Sequence, residues 1–109
     1  MGTGIDIEQI DRIRKAHLRF GDRFLKRLFS ERELNICMKR VDPYPCLTGR
    51  FCAKEALMKA SKASLSFKDI EILAGEDGEP VAYIRSRKSS FEISISHSRD
   101  YAVAVAIAR

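Results

Sequence analysis

The chain has 109 residues, of which 45% are hydrophobic and 32% charged, and its formal net charge is +5. This length predicts one domain over residues 1–109, and the composition is typical of a folded globular protein. No apolar run approaches the roughly 20 residues that cross a bilayer, and the start shows no signal-peptide pattern, so we expect no membrane partner and a cytoplasmic address. Cys37, Cys46 and Cys52 form no Cys-x-x-Cys pair, and we interpret them as reduced thiols.

The N-terminal third combines a short strand with basic helices. The pattern around Asp6 predicts a strand over residues 3–7, followed by two helices separated at Gly21. The segment from Asp11 to Arg27 carries seven basic and two acidic side chains. This excess predicts an acidic partner, with a solvated helix face as the ordinary alternative. A basic nucleic-acid-binding module is a further alternative, but no matching recognition motif appears.

The middle of the chain contains two further predicted helices. Ser30 and Glu33 have the spacing of a capping box, which predicts a helix start at Ser30 and an end before residue 42. Pro43 and Pro45 predict a non-helical connection. The apolar spacing that follows predicts a helix over residues 47–61.

The C-terminal half has the alternation of strands. The alternation and the turn residues predict strands over residues 69–74, 80–85, 91–96 and 101–107. Asp77-Gly78 predicts a hairpin over residues 75–79, because glycine adopts positive φ angles at little cost. Residues 97–100 are predicted to form the last turn.

Three residues in the first two regions have the chemistry of a metal and anion site. An ionised Asp6 among isoleucines is costly unless a cation, a donor or solvent compensates it. Glu55 lies four residues before Lys59 and therefore shares a helix face with it. The ordinary alternatives are a helix-capping aspartate and a surface Glu–Lys pair. Together the residues favour a divalent cation held beside a phosphate.

Four segments together resemble the holo-acyl-carrier-protein synthases of the 4′-phosphopantetheinyl transferase superfamily. The segments are Gly4-Ile5-Asp6-Ile7, Gly49-Arg50-Phe51-Cys52-Ala53-Lys54-Glu55-Ala56 with Lys59-Ala60, Phe67-Lys68-Asp69-Ile70-Glu71, and Ser94-Ile95-Ser96-His97-Ser98. They occur in the family's order and span nearly the whole chain. One difference is residues 61–66, where the family often has a longer glycine-rich stretch and this chain has no glycine.

The resemblance implies an α+β fold in which a small antiparallel sheet packs against helices, and a homotrimer with active sites between subunits. It implies transfer of the phosphopantetheine group of coenzyme A to a serine of apo acyl carrier protein, which releases 3′,5′-ADP and serves fatty acid biosynthesis. The implied cofactor is Mg²⁺. A Mg²⁺-dependent phosphodiesterase stays open as an alternative, and no nucleic-acid partner is expected.

The resemblance also implies roles for particular residues. Asp6 and Glu55 would bind Mg²⁺, and Lys59 would neutralise a phosphate or the leaving group, with Lys54 a weaker candidate for that task. The predicted coenzyme A-binding residues are Lys59, His97, Ser96, Ser98, Arg50 and Lys62. The predicted carrier-binding residues are Arg12, Arg19 and Arg23. The base that deprotonates the carrier serine stays open between a metal-held water and a carboxylate, and His17 is expected only at a surface or partner contact.

Overall fold

The computed structural model describes residues 2–109 as an α+β fold built around one central helix. Its helices and strands, in chain order, are β1 (Thr3–Gln9), α1 (Ile10–Phe20), α2 (Asp22–Leu28), α3 (Glu31–Cys37), α4 (Tyr44–Ala60), β2 (Ile70–Ala74), β3 (Pro80–Ile84), β4 (Arg87–Lys88), β5 (Glu92–His97) and β6 (Tyr101–Ile107). The strands form two antiparallel three-stranded sheets with the orders β1-β6-β5 and β2-β3-β4. The predicted fold class is confirmed.

Helix α4 packs against both sheets and against the other helices. Its apolar residues Cys52, Ala56 and Leu57 join one core with β2, β3 and β6, where alanines on β6 allow close approach. Leu47, nearer the start of α4, packs with residues of α1 and α2 in a second core. Because α4 contacts both sheets and the other helices, side chains on its different faces have quite different surroundings.

Several local predictions are confirmed by the backbone. The capping box at Ser30 and Glu33 is present in both directions, and Gly21, with φ +76°, separates α1 from α2. Gly78 has φ +82° in the β2–β3 hairpin, as its turn position requires. Strand β1 extends two residues further than predicted, to Gln9.

Two predictions about the α3–α4 connection are wrong. Helix α4 begins at Tyr44 and includes Pro45 in its first turn, where a missing N–H breaks no intrahelical hydrogen bond. Cys37 and Cys46 are joined in a disulfide with a Cα–Cα distance of 5.5 Å, and only Cys52 is a free thiol within residues 2–109. The sequence spacing gave no sign of the pairing, because it depends on how α3 docks on α4.

The short strand β4 was missed. Residues Arg85 and Ser86 adopt positive φ angles of 50° and 71° in the turn between β3 and β4. Such turns usually carry glycine or asparagine, so the sequence offered no turn signal there.

Candidate active site

Strand β1 lies directly on helix α4 because two glycines in this region have no side chain. A Cβ atom at Gly2 or Gly4 would collide with the carbonyl group of Ala60 or Ala56, respectively. Side chains alternate between the two faces of a strand, so Asp6 is the next residue on the helix-facing side. The close contact at the glycines therefore sets where Asp6 meets α4.

Asp6 uses only part of its hydrogen-bonding capacity at this junction. Its side chain is 10% exposed, and its Oδ1 accepts a hydrogen bond of 3.3 Å from Lys59 Nζ. Lys59 Nζ also donates to the carbonyl oxygen of Ile5 at 2.9 Å. The other oxygen, Asp6 Oδ2, is buried and has no partner among residues 2–109. Such an oxygen is normally matched by a donor or a cation.

The carboxylate of Asp6 contributes to the pKa shifts of three neighbouring groups. Burial raises the pKa of Glu55, the Asp6 carboxylate raises it further, and Lys59 opposes the shift. The pKa of Glu8 is raised by burial and then by the neighbouring Asp6 carboxylate. Burial and the same carboxylates raise the pKa of Cys52 to about 12. Glu8 and Glu55 are harder to ionise beside Asp6, so the cluster favours an added cation.

The donor set fits a hard divalent cation such as Mg²⁺, which commonly takes one or two protein carboxylates, substrate phosphates and water. From residue 2 to residue 109, no group of three or more Asp, Glu, His or Cys side chains is arranged to hold a metal ion. A complete protein-only site is therefore not formed by one chain. A two-carboxylate site of Asp6 and Glu55, with Asp6 Oδ2 uncommitted, fits the chemistry.

A cavity of about 460 Å³ lies elsewhere against α4, between the α3–α4 connection and strands β2, β3 and β5. Arg50 and His97, both predicted to bind coenzyme A, line this cavity. Arg50 and Lys59 are nine residues apart on α4, which at about 100° per residue places them on opposite helix faces. The structure therefore separates these two predicted phosphate-binding residues within one chain.

Arg50 is fixed in the cavity wall. Its Nε donates to the carbonyl oxygen of Ile72 at 3.0 Å, and its Nη1 lies 3.1 Å from Cys46 Sγ. Burial lowers the pKa of Arg50, and the charge of Glu33 opposes this. The arginine is thus oriented by protein contacts rather than lying free over the helix surface.

The remaining predicted coenzyme A-binding residues do not all converge. Ser98 is occupied in the β5–β6 turn, where its Oγ accepts from the Tyr101 N–H at 3.3 Å. Ser96 is exposed, and strand alternation places it on the opposite face of β5 from Ile95, which lines the cavity. Lys62 lines a separate cavity of about 410 Å³ near Arg109.

Lys54 is not available for phosphate contact, and this part of the sequence analysis is wrong. Its side chain is 1% exposed, and its Nζ forms a 2.6 Å ion pair with the fully buried Glu33. Lys54 and Glu55 are adjacent in sequence but project from different sides of α4. Only the packing of α3 on α4 distinguishes the buried lysine from the exposed one at position 59.

The predicted carrier-binding arginines lie on α1 and α2. Arg12 and Arg19 are exposed on α1, and Arg23 lines a shallow cavity of about 390 Å³ with Phe20, Phe24 and Arg27. Leu18 and Phe20 are exposed beside them. The basic surface therefore also carries exposed apolar side chains.

Two residues were missed by the sequence analysis. Arg40 lines the cavity that contains Arg50, but no motif marks it. Glu8 lies two residues after Asp6 and therefore on the same face of β1, a signal that was present in the sequence.

His17 was expected at a surface or partner contact. Its side chain is only 14% exposed, and its ring is hydrogen-bonded to Tyr44 Oη at 2.8 Å and to Asp22 Oδ1 at 2.9 Å.

Comparison with known proteins identifies the family. The sequence model of the 4′-phosphopantetheinyl transferase superfamily matches residues 2–106 of this chain. The chain is 44% identical to the holo-acyl-carrier-protein synthase of Aquifex aeolicus, covering 94% of this chain and 93% of the relative. The chain belongs to the 4′-phosphopantetheinyl transferase superfamily.

Solved structures agree with this assignment. The Helicobacter pylori holo-acyl-carrier-protein synthase in complex with coenzyme A superposes with a TM-score of 0.85 at 30% identity, covering 98% of this chain and 99% of the other. The Bacillus anthracis enzyme in complex with coenzyme A (3′,5′-ADP) gives 0.81 at 36% identity, covering 96% and 92%. The sequence resemblance to holo-acyl-carrier-protein synthases is confirmed.

No helix of residues 2–109 is both long and apolar enough to span a membrane.

Proposed function

We propose that the chain transfers the 4′-phosphopantetheine group of coenzyme A to a serine of apo acyl carrier protein and releases 3′,5′-ADP. It is an enzyme of the holo-acyl-carrier-protein synthase type. The single observation that carries the site assignment is the Asp6 carboxylate, which is pressed between β1 and α4 with one buried oxygen unpartnered beside Lys59. A structural aspartate at this place would have both oxygens satisfied.

Asp6 and Glu55 are the residues that would hold Mg²⁺. When bound, the ion supplies charge neutralisation at the pyrophosphate of coenzyme A. Lys59 has three N–H donors, of which one bonds Ile5 and one bonds Asp6. Its side chain is 53% exposed, so the third donor can reach a phosphate oxygen and stabilise the charge that develops on the leaving group.

The nucleotide end of coenzyme A fits the cavity lined by Arg50, His97 and Arg40. Its volume of about 460 Å³ lies within the range of small-molecule sites. The arginines supply the positive charge that a nucleotide phosphate requires. Lys62 lies outside this cavity and would contact coenzyme A only from another direction.

The separation of these two groups supports a homotrimer with active sites between subunits. Because Arg50 and Lys59 lie on opposite faces of α4, one chain does not bring the carboxylates and the nucleotide cavity together. A neighbouring chain can supply the missing half. The outer face of the β1-β6-β5 sheet is suited to this contact, since Ile5 and Ile7 are each 62% exposed and pair with Val105 and Val103 on β6.

The basic surface on α1 and α2 would bind the carrier protein through Arg12, Arg19 and Arg23. Acidic carriers are steered by such charge, and the exposed Leu18 and Phe20 add apolar contact area. The cytoplasmic address stays a prediction.

The test is incubation with apo acyl carrier protein, coenzyme A and Mg²⁺, followed by intact mass measurement of the carrier. We expect a mass increase of one phosphopantetheine group on one serine, and loss of the reaction with a chelator. Hydrolysis of coenzyme A without carrier modification would support the phosphodiesterase alternative instead. Salt-sensitive binding of DNA or RNA without any modification would support the nucleic-acid alternative.

A further inference from the structure

The ion pair of Lys54 and Glu33 is isolated from solvent and fully hydrogen-bonded. Lys54 Nζ donates to Glu33 Oε1 at 2.6 Å, to the carbonyl oxygen of Leu28 at 2.7 Å and to that of Phe67 at 3.3 Å. An ammonium group has three donors, so none is left for a ligand. The pair lies inside the fold, yet Lys54 directly precedes the proposed metal ligand Glu55.

The carboxylate of Glu33 extends this network to strand β2. Its Oε2 accepts the N–H of Ile72 at 2.8 Å, and its Oε1 also accepts the N–H of Ser30 in the capping box. Strand β2 is an edge strand of its sheet. An open strand edge needs partners for its polar groups, and Glu33 supplies one of them.

The other polar group of Ile72 holds Arg50. The Ile72 carbonyl oxygen accepts from Arg50 Nε at 3.0 Å, on the same open edge where its N–H meets Glu33. Arg50 Nη1 contacts Cys46 Sγ. A guanidinium group has five N–H donors, so these two contacts leave three of them unused. One backbone residue thus connects the buried pair to the arginine that lines the cavity.

We propose that Glu33 and Lys54 are positioning residues that fix the edge of β2 and thereby aim Arg50 at a phosphate group of the bound nucleotide. This inference rests on the proposed function, because it assumes that the Arg50 cavity takes the nucleotide end of coenzyme A. The pair itself never touches substrate. It acts only through the backbone of Ile72, and its removal should affect nucleotide binding more than carrier binding.

A pair of double variants separates positioning from charge burial. Glu33→Leu with Lys54→Met removes both charges and the acceptor for the Ile72 N–H, and matched apolar replacement of a buried pair is often tolerated. Glu33→Gln with Lys54→Met removes the same charges but keeps an oxygen for that N–H. We expect the first to raise the KM for coenzyme A roughly 10-fold with kcat and the carrier KM nearly unchanged. The second keeps the contact to Ile72 but loses the lysine that holds residue 33, so it should raise that KM by a clearly smaller factor.

A mutant cycle with Arg50→Ala supplies the decisive readout. If the pair acts through Arg50, adding Glu33→Leu with Lys54→Met to Arg50→Ala produces no further loss of affinity for 3′,5′-ADP, measured by calorimetry. Additive losses would overturn the proposal. A parallel rise of both KM values with a fall in kcat would overturn it as well, because that indicates general damage to the fold.

The two inferences can fail separately. If wild-type protein modifies no carrier but binds 3′,5′-ADP, the proposed function fails while the cycle can still be completed. If the apolar double variant does not fold, Glu33→Asp keeps the charge but shortens the reach to Ile72. We then expect weaker 3′,5′-ADP binding and faster hydrogen exchange of the Arg50 Nε proton, and an unchanged exchange rate would contradict the proposal.

Discussion

Two lysines of helix α4 form ion pairs with opposite properties. Lys54 and Glu33 are almost completely buried, and every donor of the lysine is used. Lys59 and Asp6 lie at the edge of β1, where the lysine is half-exposed and one aspartate oxygen has no partner within residues 2–109. The comparison teaches that saturation of hydrogen bonds, and not residue type, separates a structural ion pair from one prepared for a ligand.

The largest expected effect is on catalysis, and it concerns the Lys59–Asp6 pair, whose hydrogen-bonding capacity is not fully used. Asp6→Asn should lower kcat/KM roughly 1,000-fold, because the oxygen meant for the cation loses its charge. Stability in the absence of metal should not fall, since a buried carboxylate is replaced by a neutral group. The measurements are carrier modification by intact mass and Mn²⁺ binding by electron paramagnetic resonance. Glu31→Gln, the same carboxylate-to-amide change at an exposed position at the start of α3, is the control and should leave both unchanged.

Substitutions in the buried Lys54–Glu33 pair should instead lower the free energy of unfolding. Lys54→Ala leaves the Glu33 carboxylate buried without its cation, which typically costs about 3–5 kcal/mol. Lys59→Ala should cost less than about 1 kcal/mol, because the exposed pair is screened by water. Guanidinium titrations of both variants provide the test. Equal losses of unfolding free energy would remove the distinction between the two pairs.

The disulfide near the nucleotide cavity should also contribute to stability. Cys37 and Cys46 are nine residues apart, and closing a loop of this length stabilises a protein by about 2–3 kcal/mol in the chain-entropy model. Cys37→Ser should therefore lower the melting temperature, and dithiothreitol should lower that of the wild type by a similar amount. Dithiothreitol should have no effect on the Cys37→Ser variant; a shift there would point to another cause.

Charge reversal on the helical surface should affect only the carrier. Arg23→Glu should raise the carrier KM roughly 10-fold at low salt and leave the coenzyme A KM unchanged, because surface charge steers encounter. The difference should shrink as salt is added. Arg87→Glu on β4 makes the same change far from α1 and α2 and is the control. Equal effects of the two variants would argue against docking at Arg23.

The smallest expected effect concerns pH. The hydrogen bond from Arg32, followed by that from Ser30, lowers the pKa of Glu71 below its ordinary value of 4.5. The stabilisation is therefore complete above pH 4.5 and is lost as the pH falls through the lowered value. Glu71→Gln should cost less than about 1 kcal/mol at pH 7 and should reduce the loss of stability below pH 4.5. Urea titrations at pH 7 and pH 3 would show this, and a loss that is the same at both pH values would contradict it.

Much of the local structure was predictable because its causes are local. The capping box at Ser30, the break at Gly21 and the Asp77-Gly78 hairpin depend on residues within one turn of each other. The start of α4 was predicted wrongly because a proline interrupts a helix in its interior but is tolerated in its first turn, where Pro45 lies. The four segments around Asp6, Glu55, Asp69 and His97 were together specific enough to predict the family, which the comparisons confirm.

The sequence by itself determined the family, the order of the helices and of all strands except β4, and which carboxylates to consider. Only the tertiary structure decided that Lys54 is buried with Glu33 while Lys59 meets Asp6, that Arg50 and Lys59 face apart, and that Cys37 pairs with Cys46. The physical reason is that burial and hydrogen-bond saturation arise from contacts between residues distant in the chain. A one-dimensional pattern carries the identity of each partner but not the docking of α3 and β1 on α4 that brings the partners together.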